Sequence, residues 1–142
     1  MSDWEERFQK LKQDNDAVLA AVKSEEQALS DAVALLPQQK VYAERIANEV
    51  VCDTLWRIDA ILFDGGLNPV VTEHDSRMIG VVAEINNVRF AVNICSRLDG
   101  QTRITVFGGL KDTLGERIVD LDHDISDIQE WFADTIESYY KP

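Results

Sequence analysis

The spacing of apolar residues changes character along the chain, and each change marks a predicted element. From the start they follow a four-three rhythm: Trp4, Phe8, Leu11, Asn15, Val18, Val22, Glu25, Leu29, Ala32 and Leu36, nearly five heptads interrupted by Asn15 and Glu25. Ser2-Asp3-Trp4-Glu5 reads as a capping box, in which Ser2 and Glu5 satisfy the first free N–H groups. Pro37 is expected to end this helix, because proline lacks the N–H that continues the hydrogen-bond ladder. A helix over residues 2–36 is roughly 50 Å long at 1.5 Å per residue. A compact chain of this size has a radius of gyration of only about 14–15 Å. Residues 1–36 are therefore expected to protrude or to pair, with Trp4, Phe8, Leu11, Asn15, Val18 and Val22 as the self-association seam of a coiled coil. A lone Asn in such a seam fixes register and partner number. The competing reading is an amphipathic helix packed on its own domain.

A second helix is predicted from Gln39 to Phe63, making a long N-terminal helical hairpin. Its last part, Val50–Phe63, has ten apolar residues in fourteen. A helix apolar nearly all round is expected to be buried, so Trp56 is predicted in the core. Fourteen residues are too few to span a bilayer. Asp53 and Arg57 are spaced for an i,i+4 ion pair, and Asp64-Gly65-Gly66 reads as the stop.

From Val70 the period becomes two. The clearest hairpin is Arg77–Ile85, a turn at Asn86-Asn87, and Val88–Ser96. Pairing Ile85 with Val88 sets Ala83 opposite Phe90, Val81 opposite Val92 and Ile79 opposite Ile94 on one face, and Glu84 opposite Arg89 on the other. At Leu98-Asp99-Gly100 a three-residue loop, with Gly100 left-handed, pairs Ile94 with Ile104 and Val92 with Val106. A two-residue loop would split the apolar residues between faces. Val70–His74 is a shorter strand of ambiguous register. After Gly108-Gly109 comes a loop with room for one short strand, Arg117–Leu121. Ile125, Ile128, Phe132, Ile136 and Tyr139 then recur at helical spacing. The predicted fold is α+β, a single domain over residues 1–142. It consists of a helical hairpin, a four-stranded antiparallel β-meander with helices packed on one face, and a C-terminal helix.

Charge changes this picture chiefly by its distribution. The 142 residues carry a net charge of −12. Acidic against basic residues number 8 to 4 over residues 1–36, 5 to 3 over 37–64, 4 to 4 over 65–109 and 9 to 3 over 110–142. The helices are acidic and the sheet is neutral. No basic face is available for nucleic acid or an anionic membrane, whereas a basic protein partner is accommodated. No leader pattern or membrane-length apolar run occurs, so a cytoplasmic protein is expected. Cys52 and Cys95 are predicted to be unpaired.

Candidate chemistry is sparse. Asp120, Asp122, His123 and Asp124 supply oxygen and nitrogen donors, but the calcium-loop spacing fails, because Ile125 and Trp131 stand where Gly and Glu are required. Capping of the last helix by Asp122 and Asp124 explains them more simply. His74-Asp75 falls at a predicted turn and should be solvated. Cys95 lacks a complete activating environment, and neither glycine pair has phosphate-loop spacing. No catalytic residue, metal site or cofactor is predicted. The outer face of the sheet is less polar than water-facing sheets usually are. Met78, Val82, Arg89, Asn93, Cys95, Arg103 and Phe107 are its predicted partner-binding residues, with Gly80, Ala91 and Thr105 between them. An apolar patch with a polar rim marks an interface, unless Arg117–Leu121 or the first helix folds over it. The expected function is thus a non-catalytic, homo-oligomeric interaction protein, an inhibitor, adaptor or chaperone-like factor whose acidic helices engage a basic partner. The alternative is a small metal-dependent or thiol enzyme using the Asp120–Asp124 cluster or Cys95.

Overall fold

A computed structural model describes residues 2–63, 65–85, 88–109 and 112–140. The fold is α+β. Helix α1 (Asp3–Arg45) passes into a π-helical segment (Ile46–Cys52) and then α2 (Asp53–Leu62). Five strands follow: β1 (Val70–Asp75), β2 (Met78–Ile85), β3 (Val88–Ser96), β4 (Thr102–Gly108) and β5 (Asp112–Val119), and then α3 (Ile125–Tyr140). The chain divides into two compact units, Met1–Ala34 and Leu35–Pro142. Among the described residues the one element of the first is the start of α1; the second holds the sheet, α2, α3 and the core.

The expected helical hairpin does not form, because α1 continues through Pro37. Proline here removes the donor for the Val33 carbonyl, a loss of about 3 kcal/mol in a helix interior. Pro37 and Val33 are both exposed, so that carbonyl is not stranded in an apolar interior. Just beyond, the helix is anchored. Gln39 is fully buried, and its Nε2 donates to the Arg97 carbonyl at 2.8 Å and the Gln101 carbonyl at 3.4 Å. Tyr42, Ala43 and Ile46 enter the core behind it, and their burial outweighs one missing hydrogen bond.

Between Gln39 and Asp59 the helix buries a residue every fourth position: Gln39, Ala43, Ala47, Val51, Leu55 and Asp59. In a pure α-helix a four-residue step overshoots a full turn by about 40°, so this row would wind around to solvent. The π-helical segment at Ile46–Cys52 holds more residues per turn. It rewinds the row, and its residues stay buried as far as Asp59. Beyond Leu55 the burial narrows, and the expected all-round burial of Val50–Phe63 does not hold. Trp56 is 49% exposed, Ile61 78% and Leu62 53%. A ten-residue helix lying on one layer presents only one stripe to it. Gly65 and Gly66 take positive φ, 100° and 111°, where the chain leaves α2; Asp64 lies outside the described residues.

The sheet has five antiparallel strands in sequential order rather than four. The β2–β3 register pairs Ile79 with Ile94, Val81 with Val92, Ala83 with Phe90 and Glu84 with Arg89, as the alternation predicts. The connecting Asn86-Asn87 lies outside the described residues. The β3–β4 register pairs Ile94 with Ile104 and Val92 with Val106, and Gly100 has a φ of 87° in the three-residue loop. In β1, Val71 pairs with Val81 and Val70 with Val82, with an irregularity between Glu73 and Asp75. The fifth strand replaces the expected loop and short Arg117–Leu121 strand. It begins at Asp112 and ends at Val119, paired along β4 with a bulge opposite Val106 and Phe107. Its alternation is hidden by that bulge and by polar residues suited to an exposed edge. One core cluster joins the inner faces of β2, β3 and β4 to Ile46, Val50, Val51, Ile128, Phe132 and Ile136.

Candidate interaction surfaces

In the first unit the side chains of the predicted seam, Trp4, Phe8, Leu11, Asn15, Val18 and Val22, are all exposed, as is every residue from Ser2 to Asp31. Trp4 and Phe8, one turn apart, meet edge-to-face at 6.2 Å between ring centroids. A lone helix has no second element of its own unit with which to cover such a stripe, and most helical stability in water comes from a packed apolar face.

In the second unit, strand registers gather Met78, Val82, Asn93, Cys95 and Phe107 on the outer sheet face, together with Arg89 and Arg103. All but the exposed Arg103 are half-buried. Arg103 pairs with Glu116 across β4 and β5 at 3.3 Å. Because Arg117–Val119 belongs to the edge strand β5, that stretch does not fold over this face. His74, at the β1 irregularity, lies over Gly80: a Cβ on Gly80 would come within 2.5 Å of its Nε2. The ring takes the space that the missing side chain leaves, which no spacing rule in the sequence indicates.

The acidic segment before α3 separates into structural roles. Asp124 Oδ1 accepts the Ser126 N–H at 3.0 Å, an N-cap. Asp120 Oδ1 accepts from Gln101 Nε2 at 2.9 Å, tying the segment to the β3–β4 turn. His123 turns toward Asp127, with Nε2 at 2.6 Å from Oδ2, and Arg117 Nη2 donates to the same oxygen at 2.6 Å. Those two hydrogen bonds hold the Asp127 carboxyl below its ordinary pKa. The His123 carbonyl accepts from the Tyr42 hydroxyl at 2.7 Å, and burial raises the Tyr42 pKa. Asp127 was not among the predicted residues; its i,i+4 relation to His123 was the available signal. Among the described residues, no group of three or more His, Cys, Asp or Glu is arranged to hold a metal ion. Both cysteines are free, and burial raises the Cys52 pKa. Cys95 Sγ has a contact of 4.0 Å with the Ser96 carbonyl.

A surface the sequence did not indicate lies between α2 and α3. Ile58, Ile61, Leu62 and Phe63 face Ala133, Ile136, Glu137 and Tyr140 across an open groove of about 700 Å³. It continues into a second hollow of about 340 Å³ that shares Ile58, Ile61 and Ala133 and ends at Thr54, Arg57, Ser126, Gln129 and Glu130. At that end Gln129 Nε2 donates to Asp53 Oδ2 at 2.9 Å, linking the two helices. Arg57 Nε is 3.2 Å from the same Asp53 oxygen, the ion pair expected from their spacing. The Tyr140 hydroxyl is shifted upward, first by burial and then by Tyr139.

Among the described residues, no helix is long and apolar enough to cross a membrane. Compared with protein-family models, with curated proteins and with solved structures, the chain matches none.

Proposed function

We propose that this chain is a non-catalytic interaction protein of the cytoplasm that self-associates through the N-terminal part of α1 and engages a basic protein partner through its acidic helices. An inhibitor, adaptor or chaperone-like factor would have this form. One observation carries the reading: among the described residues of the unit Met1–Ala34 the one element is the helix from Asp3, whose apolar side chains recur at coiled-coil spacing with nothing else in that unit to cover them. Pairing with a second copy buries that stripe. The outer sheet face of Met78, Val82, Arg89, Asn93, Cys95, Arg103 and Phe107 is a second contact surface, supported by its mixed apolar and basic composition.

The test is sedimentation equilibrium across a hundredfold range of concentration. Self-association through the seam gives a mass above the monomer that falls on dilution, and Asn15→Leu strengthens it while loosening the choice of oligomer, because a buried polar group is removed. A monomer mass throughout, unchanged by deleting residues 1–20, refutes the self-association.

A further inference from the structure

Taking the proposed engagement of a basic partner as its premise, the geometry points to the groove between α2 and α3 as the seat of that partner, in the form of a basic amphipathic helix. The floor is apolar: Ile58, Ile61 and Leu62 from α2, and Ala133, Ile136 and Tyr140 from α3. The hollow and its continuation share Ile58, Ile61 and Ala133, so the two form one trough lined by both helices. Amphipathic helices lie in such grooves through apolar residues at i, i+3, i+4 and i+7.

Charge selects the occupant. Helix α3 carries Asp127, Glu130, Asp134 and Glu137 and has no lysine or arginine. Glu137 lines the trough and Glu130 its continuation, and Asp134 is exposed on the same helix. Among the described residues that line the two hollows, the one basic residue, Arg57, is turned to Asp53 at one end. Complementary potential steers association and rejects like-charged partners. A helix with lysine or arginine flanking its apolar stripe meets carboxylates on the α3 side. The same argument disfavours the α1 helix of a second copy, since residues 1–36 carry 8 acidic residues against 4 basic. It equally disfavours anionic amphiphiles.

The experiment uses the full chain and a fluorescein-labelled 16-residue helix of leucine and lysine, with leucines at i, i+3, i+4 and i+7. Anisotropy is measured at 150 mM salt, where exposed charges more than about 8 Å apart are largely screened. The leucine–lysine peptide is expected to bind, and its leucine–glutamate counterpart to bind at least tenfold more weakly. Ile61→Asp, at a position too exposed to matter for folding, is expected to weaken binding at least tenfold with an unchanged circular dichroism spectrum. The double variant Glu130→Lys with Asp134→Lys is expected to do the same. Asp14→Lys with Asp16→Lys, the same charge change on α1, is expected to alter affinity less than twofold. If the α1 variant weakens binding as much as the α3 variant, or Ile61→Asp binds within twofold of wild type, the groove is not the seat, although binding by acidic helices stands. Equal binding of the acidic peptide overturns the charge argument. A dimer of the wild type that Ile61→Asp turns into a monomer shows that a second copy occupies the groove, which also overturns it. No binding of the basic peptide to the wild type removes the premise with the inference.

Discussion

Asp59 offers the sharpest test of the packing between α2 and the rest of its unit. It is 2% exposed, and its Oδ1 is buried without a hydrogen-bond partner. An unpaired buried polar group costs about 1–3 kcal/mol, more if charged. Replacing Asp59 with Ala removes that cost and gains up to about 0.7 kcal/mol of helix propensity. Against this stands the vacated space: about 40 Å³ at roughly 24 cal/mol per Å³ costs about 1 kcal/mol. The expected outcome is a net effect from about zero to about 2.7 kcal/mol of stabilisation, the reverse of the usual core truncation. For a chain of this length that corresponds to a rise in Tm of up to about 10 °C. Urea unfolding followed by circular dichroism measures it, with the slope against denaturant unchanged so that the midpoint shift reads stability alone. A loss of more than about 1 kcal/mol refutes the reasoning, because it would mean that the carboxylate makes a favourable interaction in the folded chain.

Phe132, fully buried in the core, should cost about 3–5 kcal/mol when cut to Ala, whereas the half-exposed Trp56 should cost less than half as much in the same denaturation assay; equal losses would mean that α2 is buried all round after all. Glu84 lies opposite Arg89, so Glu84→Arg alone should lose up to about 1 kcal/mol, and Glu84→Arg with Arg89→Glu should be nearly neutral; equal losses from single and double variants would contradict the register. Asp127, whose folded pKa is depressed by hydrogen bonds from His123 and Arg117, contributes stability that is complete above its unfolded pKa of about 3.9 and is lost as pH falls through the lower folded value. Asp127→Asn should therefore lower Tm at pH 7, and the difference from wild type should shrink progressively below about pH 3.9; a difference independent of pH from 2.5 to 7 would remove the carboxylate's role.

Local chemistry carried much of the fold. The β2–β3 and β3–β4 registers follow from two-residue alternation, since a slip by one would turn Ile79, Val81, Val92 and Ile94 to the wrong face. The cap at Asp124 and the ion pair between Asp53 and Arg57 are also local matters, set by residues within one turn of each other. The acidity of the helices and the apolar rhythm of α1 were legible for the same reason, being properties of single elements.

What tertiary structure decided were the competitions between local preference and distant contact. Pro37 is a helix stop by its own chemistry, but Gln39, Tyr42 and Ala43 are held from the far side of the sequence, and the helix runs through. The four-residue burial row from Gln39 to Asp59 needed a π-helical segment to remain on one face, a local cost repaid only by the core it meets. The polar, bulged β5 becomes a strand because β4 supplies its partner. The groove arises from the same cause. Ile61, Leu62 and Tyr140 are apolar residues like any others in the sequence, and only the side-by-side placement of α2 and α3 decides which apolar side chains are covered and which are left facing water.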